Sequence, residues 1–339
     1  MFDFVVIGDI IVDRIVKITD PKIISTIDTK EHTVMFPYPA KRQLDMAPET
    51  HAGGNAYNAA TAIRKLGLNT AMFTVVGNDH EGSKMIEDIK ALGVDCSLVQ
   101  VDGENTTNSS VIMSINGDRV LFSYHHKRTY TLPQLPETKY VYLTSIGEDD
   151  APLFHSVVEQ KQKMGFKLVF SPGTLQIEES FADIKEVMQH TDVLILNKQE
   201  AVSLSRLNTE SNENLLRGLH NFGPKQVVIT RSERGSVAST GSEIIKQGAL
   251  QVATVECTGA GDAYSSTLAA ALCMNESLQT AMSWGTINSA SVIGTIGATN
   301  GLLSLGEIKQ QLEQKKDQFV YTEATSSEVG VPRHSVKPE

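Results

Sequence analysis

Basic charge is scarce in this chain: 30 Lys and Arg stand against 40 Asp and Glu, a formal net charge of −10. A protein of that balance repels a phosphodiester backbone, and no long run of Lys or Arg offsets it, so nucleic acid is not an expected partner. Cysteine is nearly absent. Cys96, Cys257 and Cys273 are odd in number and far apart, which fits neither a disulfide framework nor a zinc pattern. A reducing, cytoplasmic setting is the simplest reading. No apolar run reaches the roughly 18 residues of a membrane span. The N-terminus, "MFDFVVIGDI", carries Asp3 and lacks the basic stretch of a signal peptide. Two phosphate-binding patterns are also missing: there is no G-K-[ST] and no G-x-G-x-x-G after the first strand.

What remains is 339 residues, 40% hydrophobic, enough for a large α/β core. "FDFVVIGD" reads as a buried strand closed by Gly8-Asp9. "AYNAATAIRKLG" reads as a helix stopped by Gly67, "TAMFTVVG" as the second strand, and "EGSKMIEDIKALG" as a helix stopped by Gly93. "KYVYLTSIG", "KLVFSPG", "DVLILN" and "QVVITRS" are brief apolar strands, each followed by a helical or polar segment. This alternation predicts a mostly parallel sheet with helices on both faces, a three-layer α/β/α sandwich. Sites in such sheets lie at the carboxyl ends of strands, where Asp9, Gly77, Gly147, Asn197 and Thr230 fall. Two regions, about 10–50 and 105–126, break the alternation. The second carries Asn116-Gly117 between β-rich runs, a hairpin signal. Both are expected to form a small accessory sheet; the alternative is an edge extension of the main one. The polar segment 323–339 is expected to be disordered, leaving one domain over 1–322.

The most informative stretch is "VECTGAGDAYSSTLAAAL", where Thr258-Gly259-Ala260-Gly261-Asp262 opens a helix. A helix start exposes unpaired N–H groups and partial positive charge, and residues without bulk let an anion approach them. A carboxylate beside such a cradle is a poor phosphate ligand but a suitable base for an attacking hydroxyl. The plain alternative is a carboxylate that merely favours the helix dipole.

These residues, taken with others, resemble the ribokinase (PfkB) family of carbohydrate kinases. "GGNAYNAATAIRKLGLNTAMFTVVG" (53–77) matches that family's first signature, and "TGAGD" (258–262) is the centre of its second. "GDIIVD" (8–13), "NKQEA" (197–201), "GNDHEG" (77–82) and "TIGAT" (295–299) stand where the family has similar elements, so the likeness runs from about residue 3 to 315. The resemblance implies a ribokinase-like fold with a β-sheet lid, and transfer of the ATP γ-phosphoryl group to a hydroxymethyl of a small sugar. It implies Asp262 as base, and Gly259, Ala260 and Gly261 as anion hole. Asp13, Gly53, Gly54, Asn55 and Asn58 would hold the sugar, although Asn55 and Asn58 could instead cap a helix. Asn197 and Glu200 would organise Mg²⁺ and phosphates through water; a capping box between them is compatible with that role. Thr230, Ser232 and Gly235 would lie near the nucleotide phosphates, and Thr286 and Asn288 near adenine. A homodimer through the lid is a further implication.

The chain also departs from the pattern. Glu256-Cys257 replace the usual Asp-Thr near a monovalent-cation site of some members, which weighs against potassium activation. Cys257 is read as a small hydrophobe. Thr267 and Ser232 stand where smaller residues are usual. "SYHHKRTY" (123–130) is read as a solvated turn rather than a contact for an anionic substrate. The alternatives are a nucleoside kinase of the same family, for which Met35, Phe36 and Tyr38 would supply a stacking surface, and a catalytically silent sensor.

Overall fold

Strand β1 (Phe2–Ile7) shows how the chain is layered. Its side chains alternate across the sheet: Phe4 and Val6 enter one core, Val5 and Ile7 another. Both faces are therefore dry, and both must be covered by helices. The structure, a computed structural model, describes residues 1–18, 46–115, 118–147, 151–319 and 321–325, with 36, 41 and 44 besides.

After β1 the chain runs through β2 (Ile11–Ile18), β3 (Glu49–Gly53), α1 (Asn55–Lys65), β4 (Thr70–Phe73), β5 (Val75–Gly77), α2 (His80–Ala91) and β6 (Gln100–Asp102). It continues through β7 (Ser109–Ile115), β8 (Asp118–Tyr124), β9 (Thr138–Thr144), α3 (Ala151–Met164), β10 (Lys167–Ser171), α4 (Thr174–Glu179) and α5 (Phe181–Gln189). Then come β11 (Val193–Asn197), α6 (Lys198–Ser205), α7 (Asn212–His220), β12 (Gln226–Thr230), β13 (Ser236–Ser239) and β14 (Glu243–Gln247). The last elements are α8 (Ala260–Cys273), α9 (Leu278–Val292), α10 (Leu305–Lys315) and β15 (Tyr321–Thr325).

The main sheet has the order β15-β14-β13-β12-β11-β10-β9-β1-β4. It is parallel from β4 to β12 and antiparallel from β12 to β15. Helices α1, α2, α8, α9 and α10 contribute to the core holding Phe4 and Val6; α3, α5, α6 and α7 contribute to the opposite one. The three-layer expectation holds. A separate four-stranded sheet, β3-β2-β7-β8, gathers segments from the two regions that broke the alternation. It is not an edge extension of the main sheet. Ile115 and Asp118 pair across β7 and β8; Asn116 and Gly117, read as the hairpin turn, lie outside the described residues.

Two readings need correction. "TAMFTVVG" is two short strands in different sheets: β4 pairs with β1, while β5 pairs with β6. Strand β15 pairs antiparallel with β14 as far as Thr325, so order extends into the segment expected to be a tail from residue 323. Among the described residues no helix is long and apolar enough to cross a membrane, and the three cysteines are free. Cys257 is exposed, which does not suit the small-hydrophobe reading.

Phe170 is fully buried and meets Phe154 edge-on, with ring centroids 5.8 Å apart. Phe170→Ala should cost about 3–5 kcal/mol in urea unfolding, since a cavity adds to the lost transfer energy. A loss below 1 kcal/mol would contradict this packing.

Candidate active site

The first turns of α1 and α8 meet over the carboxyl end of β1. Asn58 on α1 donates through Nδ2 to Asp262 Oδ2 on α8 at 2.8 Å. A carboxylate only accepts, so the amide must turn its nitrogen towards it. Its oxygen is left over: among the described residues no donor reaches the buried Asn58 Oδ1. Neither Asn58 nor Asn55 caps α1, whose N-cap, Gly54, has no side-chain cap bond. The capping alternative for these two residues is therefore not what the structure adopts.

Asp13, on β2, is 8% exposed and accepts from Ser110 Oγ at 2.5 Å. A Cβ on Gly53 would lie 2.1 Å from Asp13 Oδ2, so glycine there is the condition for the carboxylate's position. At the N-cap of α8, Gly259 adopts φ 78°, and a Cβ would meet Ala298 at 2.5 Å. Gly261 faces open space, and with Ala260 it leaves the start of α8 uncluttered.

Asp13, Gly54, Asn55, Asn58, Gly259 and Asp262 line one cavity of about 640 Å³, a size suited to a small molecule. Asp262 sits on its floor. Burial is the main cause that pushes its carboxyl up to about 6; neighbouring Glu200 and Asp13 add to it, while the Asn58 bond and Arg119 oppose it. Burial also raises Asp13, against its Ser110 bond.

Arg119, on β8, also lines the cavity. Its Nη1 donates to Thr258 Oγ1 at 3.1 Å, and Thr258 donates to Glu256 Oε1 at 2.6 Å. Glu256, buried, accepts from Gly297 N at 2.8 Å. Glu256 is thus an internal brace that ties the Gly-Ala-Gly turn to the loop against which Gly259 packs.

A second group forms beside the cavity. Asn197 and Thr230 are register partners at the carboxyl ends of β11 and β12. Asn197 and Glu200 make the capping box: Asn197 Oδ1 accepts from Glu200 N at 2.9 Å, and Glu200 Oε2 accepts from Asn197 N at 2.8 Å. Thr174, which lines the cavity, donates to Glu200 Oε1 at 3.3 Å and joins the two groups. Ser232 is exposed with φ 51°, a conformation that explains a preference for glycine there. Gly235 follows in the same turn.

Asn288 does not belong with them. It is fully buried, donates to Thr267 Oγ1 at 2.7 Å and accepts from Leu303 N at 2.8 Å. Both ends of its amide are spent on packing, which also accounts for Thr267 where a smaller residue was expected. Thr286 is likewise buried and donates to Gln247 Oε1 at 3.4 Å. Met35 and Tyr38 lie outside the described residues, and Phe36 is 44% exposed. The segment 123–130 is not a solvated turn: Arg128 and Tyr130 are buried, and Ser123, Tyr124 and His125 line the cavity. Missed by sequence reasoning were Ser110, Arg119 and Thr174, which carry no motif. Asp9 was visible as the end of a strand and within the family-like "GDIIVD" element, with no role attached.

A cavity at the strand ends thus holds a helix start cleared of side chains and a carboxylate above its ordinary range, on an α/β sandwich. The chain belongs to the pfkB family of carbohydrate kinases, whose model matches residues 16–305. It is 26% identical over 277 residues to an ATP-dependent 6-phosphofructokinase of Thermoanaerobacterium thermosaccharolyticum, covering 78% of this chain and 85% of that one. It is 24% identical over 281 residues to a nucleoside kinase of Methanothermobacter thermautotrophicus, covering 81% and 89%. The fold superposes on an Arabidopsis thaliana ribokinase complexed with ribose and ATP with TM-score 0.75 at 20% identity, covering 92% of this chain and 99% of that one.

The raised carboxyl has a stability consequence. The folded protein holds the Asp262 proton up to about pH 6, whereas the unfolded chain releases it near 3.8. Stability from this group is full below that lower value and is lost as pH rises through 6. Asp262→Asn should therefore be more stable than the parent at pH 8, by at most about 3 kcal/mol, with the difference shrinking towards pH 4. Urea unfolding at several pH values reads this, and a difference independent of pH would refute it.

Proposed function

We propose that the protein transfers the γ-phosphoryl group of ATP to a hydroxymethyl group of a small sugar. The observation that carries the proposal is the Asn58–Asp262 pair, which leaves one buried acceptor without a donor on a residue that lines the cavity. A sugar hydroxyl supplies that donor to Asn58 Oδ1. Asp13 and Asn55 take further hydroxyls, because carboxylate and amide side chains suit paired O–H groups.

Asp262 then acts as base. The acceptor O–H proton passes to its carboxylate, the acceptor oxygen bonds to the γ-phosphorus, and the bond from that phosphorus to the β–γ bridging oxygen breaks, leaving ADP. A carboxyl near 6 is mostly ionised at neutral pH, and so free to accept that proton, yet more basic than an ordinary carboxylate. The N–H groups around Gly259, Ala260 and Gly261 meet the charge on the moving phosphoryl group. Arg119 brings a cation to the same turn from β8.

The ends of β11 and β12, with Asn197, Thr230, Ser232 and Gly235, take the nucleotide phosphates. Mg²⁺ would neutralise phosphate charge there, held by the phosphates and by water on Glu200 and Asn197. A carboxylate and an amide oxygen side by side are a donor set that a hydrated Mg²⁺ takes as outer ligands, so the residues fit the ion. The four-stranded sheet serves as lid and excludes water, which would otherwise accept the phosphoryl group. Carboxylate, amide and hydroxyl side chains recur in the described lining beside Ile11, Leu121, Tyr124 and Ile146, which supports a hydroxylated acceptor and leaves a nucleoside as the alternative to a free sugar.

Two outcomes check this reading. ADP release, assayed with fructose, fructose 6-phosphate, ribose and adenosine, should be stimulated by at least one sugar, and Asp262→Asn should lower kcat at least about 100-fold. Near-parental turnover in the variant would sink the assignment. The lid face turned from the cavity pairs Val111 with Phe122, 43% and 58% exposed, which supports a homodimer through that sheet. Phe122→Glu should shift the elution volume towards a monomer; an unchanged volume removes this interface.

A further inference from the structure

The segment 123–130 has no part in the chemistry above, yet it is firmly anchored on the cavity wall. Arg128 is 4% exposed; its Nη1 pairs with Asp102 Oδ2 at 3.0 Å, and its Nη2 donates to the Thr106 carbonyl. Tyr130, also buried, donates its hydroxyl to Asp9 at 3.0 Å. Asp9 is 2% exposed, and it lines the same cavity as Asp13 and Asp262. It accepts further from Gly147 N at 2.8 Å and from Asn108 Nδ2 at 3.3 Å.

Against this carboxylate stands His125, whose side chain is 29% exposed and lines the cavity. Its Nδ1 lies 3.3 Å from Asp9 Oδ2. Asn108 Nδ2 is also 3.3 Å from this ring nitrogen and carries a second hydrogen, but an unprotonated Nδ1 would set its lone pair against the carboxylate oxygen 3.3 Å away. The ring proton therefore belongs on Nδ1. That fixes both the tautomer and the orientation of the imidazole, and leaves Nε2 as an acceptor for a ligand.

We infer that His125, oriented by Asp9, is a specificity residue for the acceptor: its Nε2 accepts a hydrogen bond from a second sugar hydroxyl, distinct from the hydroxymethyl turned to Asp262. Asp9 is a positioning residue that acts through the imidazole. The inference rests on the kinase reading and adds to it a requirement on the substrate: a polyhydroxylated sugar carrying a hydroxyl at this place. A site built to pair a hydroxyl discriminates strongly against an analogue lacking it, because the polar group of the site is then left unpaired.

The test uses the full chain and whichever of fructose, fructose 6-phosphate, ribose or adenosine gives the highest kcat/KM, together with its monodeoxy analogues. His125→Asn keeps an amide near Nδ1 that can donate to Asp9 but cannot reach the Nε2 position; His125→Gln places an amide near Nε2. The Asn variant should raise the acceptor KM at least tenfold, with kcat and the KM for ATP within threefold of the parent. One deoxy analogue should be disfavoured at least tenfold by the parent and equally used by the Asn variant. The Gln variant should recover part of the discrimination, and Asp9→Asn should imitate the Asn variant more weakly. An unchanged acceptor KM in the Asn variant, or equal losses for every analogue with no recovery in the Gln variant, overturns the inference while leaving the kinase reading intact. A parent that phosphorylates none of the four compounds, or an Asp262→Asn variant that keeps turnover, overturns both.

Discussion

One hydrogen bond, from Asn58 to Asp262, sets the terms for the rest of the site. It joins helices far apart in sequence and holds a carboxylate where burial opposes ionisation. The cost of that placement is met by the surroundings: an amide donor, a guanidinium within influence and a helix start nearby. None of these is strong enough to restore an ordinary carboxylate, so Asp262 stays above the usual range.

Around that pair the fold acts as a jig. The parallel strands end together, so Asp9, Asn197 and Thr230 come to one edge although the chain separates them widely. The second sheet then brings Asp13, Ser110 and Arg119 over the same edge from above. Its link through Thr258 and Glu256 means that the second sheet and the Gly-Ala-Gly turn share a hydrogen-bonded path.

Much of this was legible in the residues. Apolar runs bounded by glycine gave the parallel strands, because a strand buried on both faces has no room for polar alternation. The small residues before Asp262 gave the cradle, because only they leave a helix start open. What was hidden depended on long-range geometry. No local pattern says that Asn288 spends both ends of its amide on Thr267 and Leu303, or that Arg128 is buried against Asp102. "TAMFTVVG" looked like one strand because both halves are buried, although they serve different sheets. The strand at Tyr321–Thr325 was missed because its stability comes from pairing with β14 rather than from its own composition.

That last strand has a bearing on how the molecule keeps to itself. A sheet that stopped at β14 would present a row of unpaired amides and carbonyls, a template for another chain. The carboxyl-terminal segment occupies that row, with Glu243 opposite Thr325 and Gln247 opposite Tyr321. Sequence that contributes nothing to the cavity therefore moves the open edge of the sheet outward from β14 to β15, the short strand that now ends it.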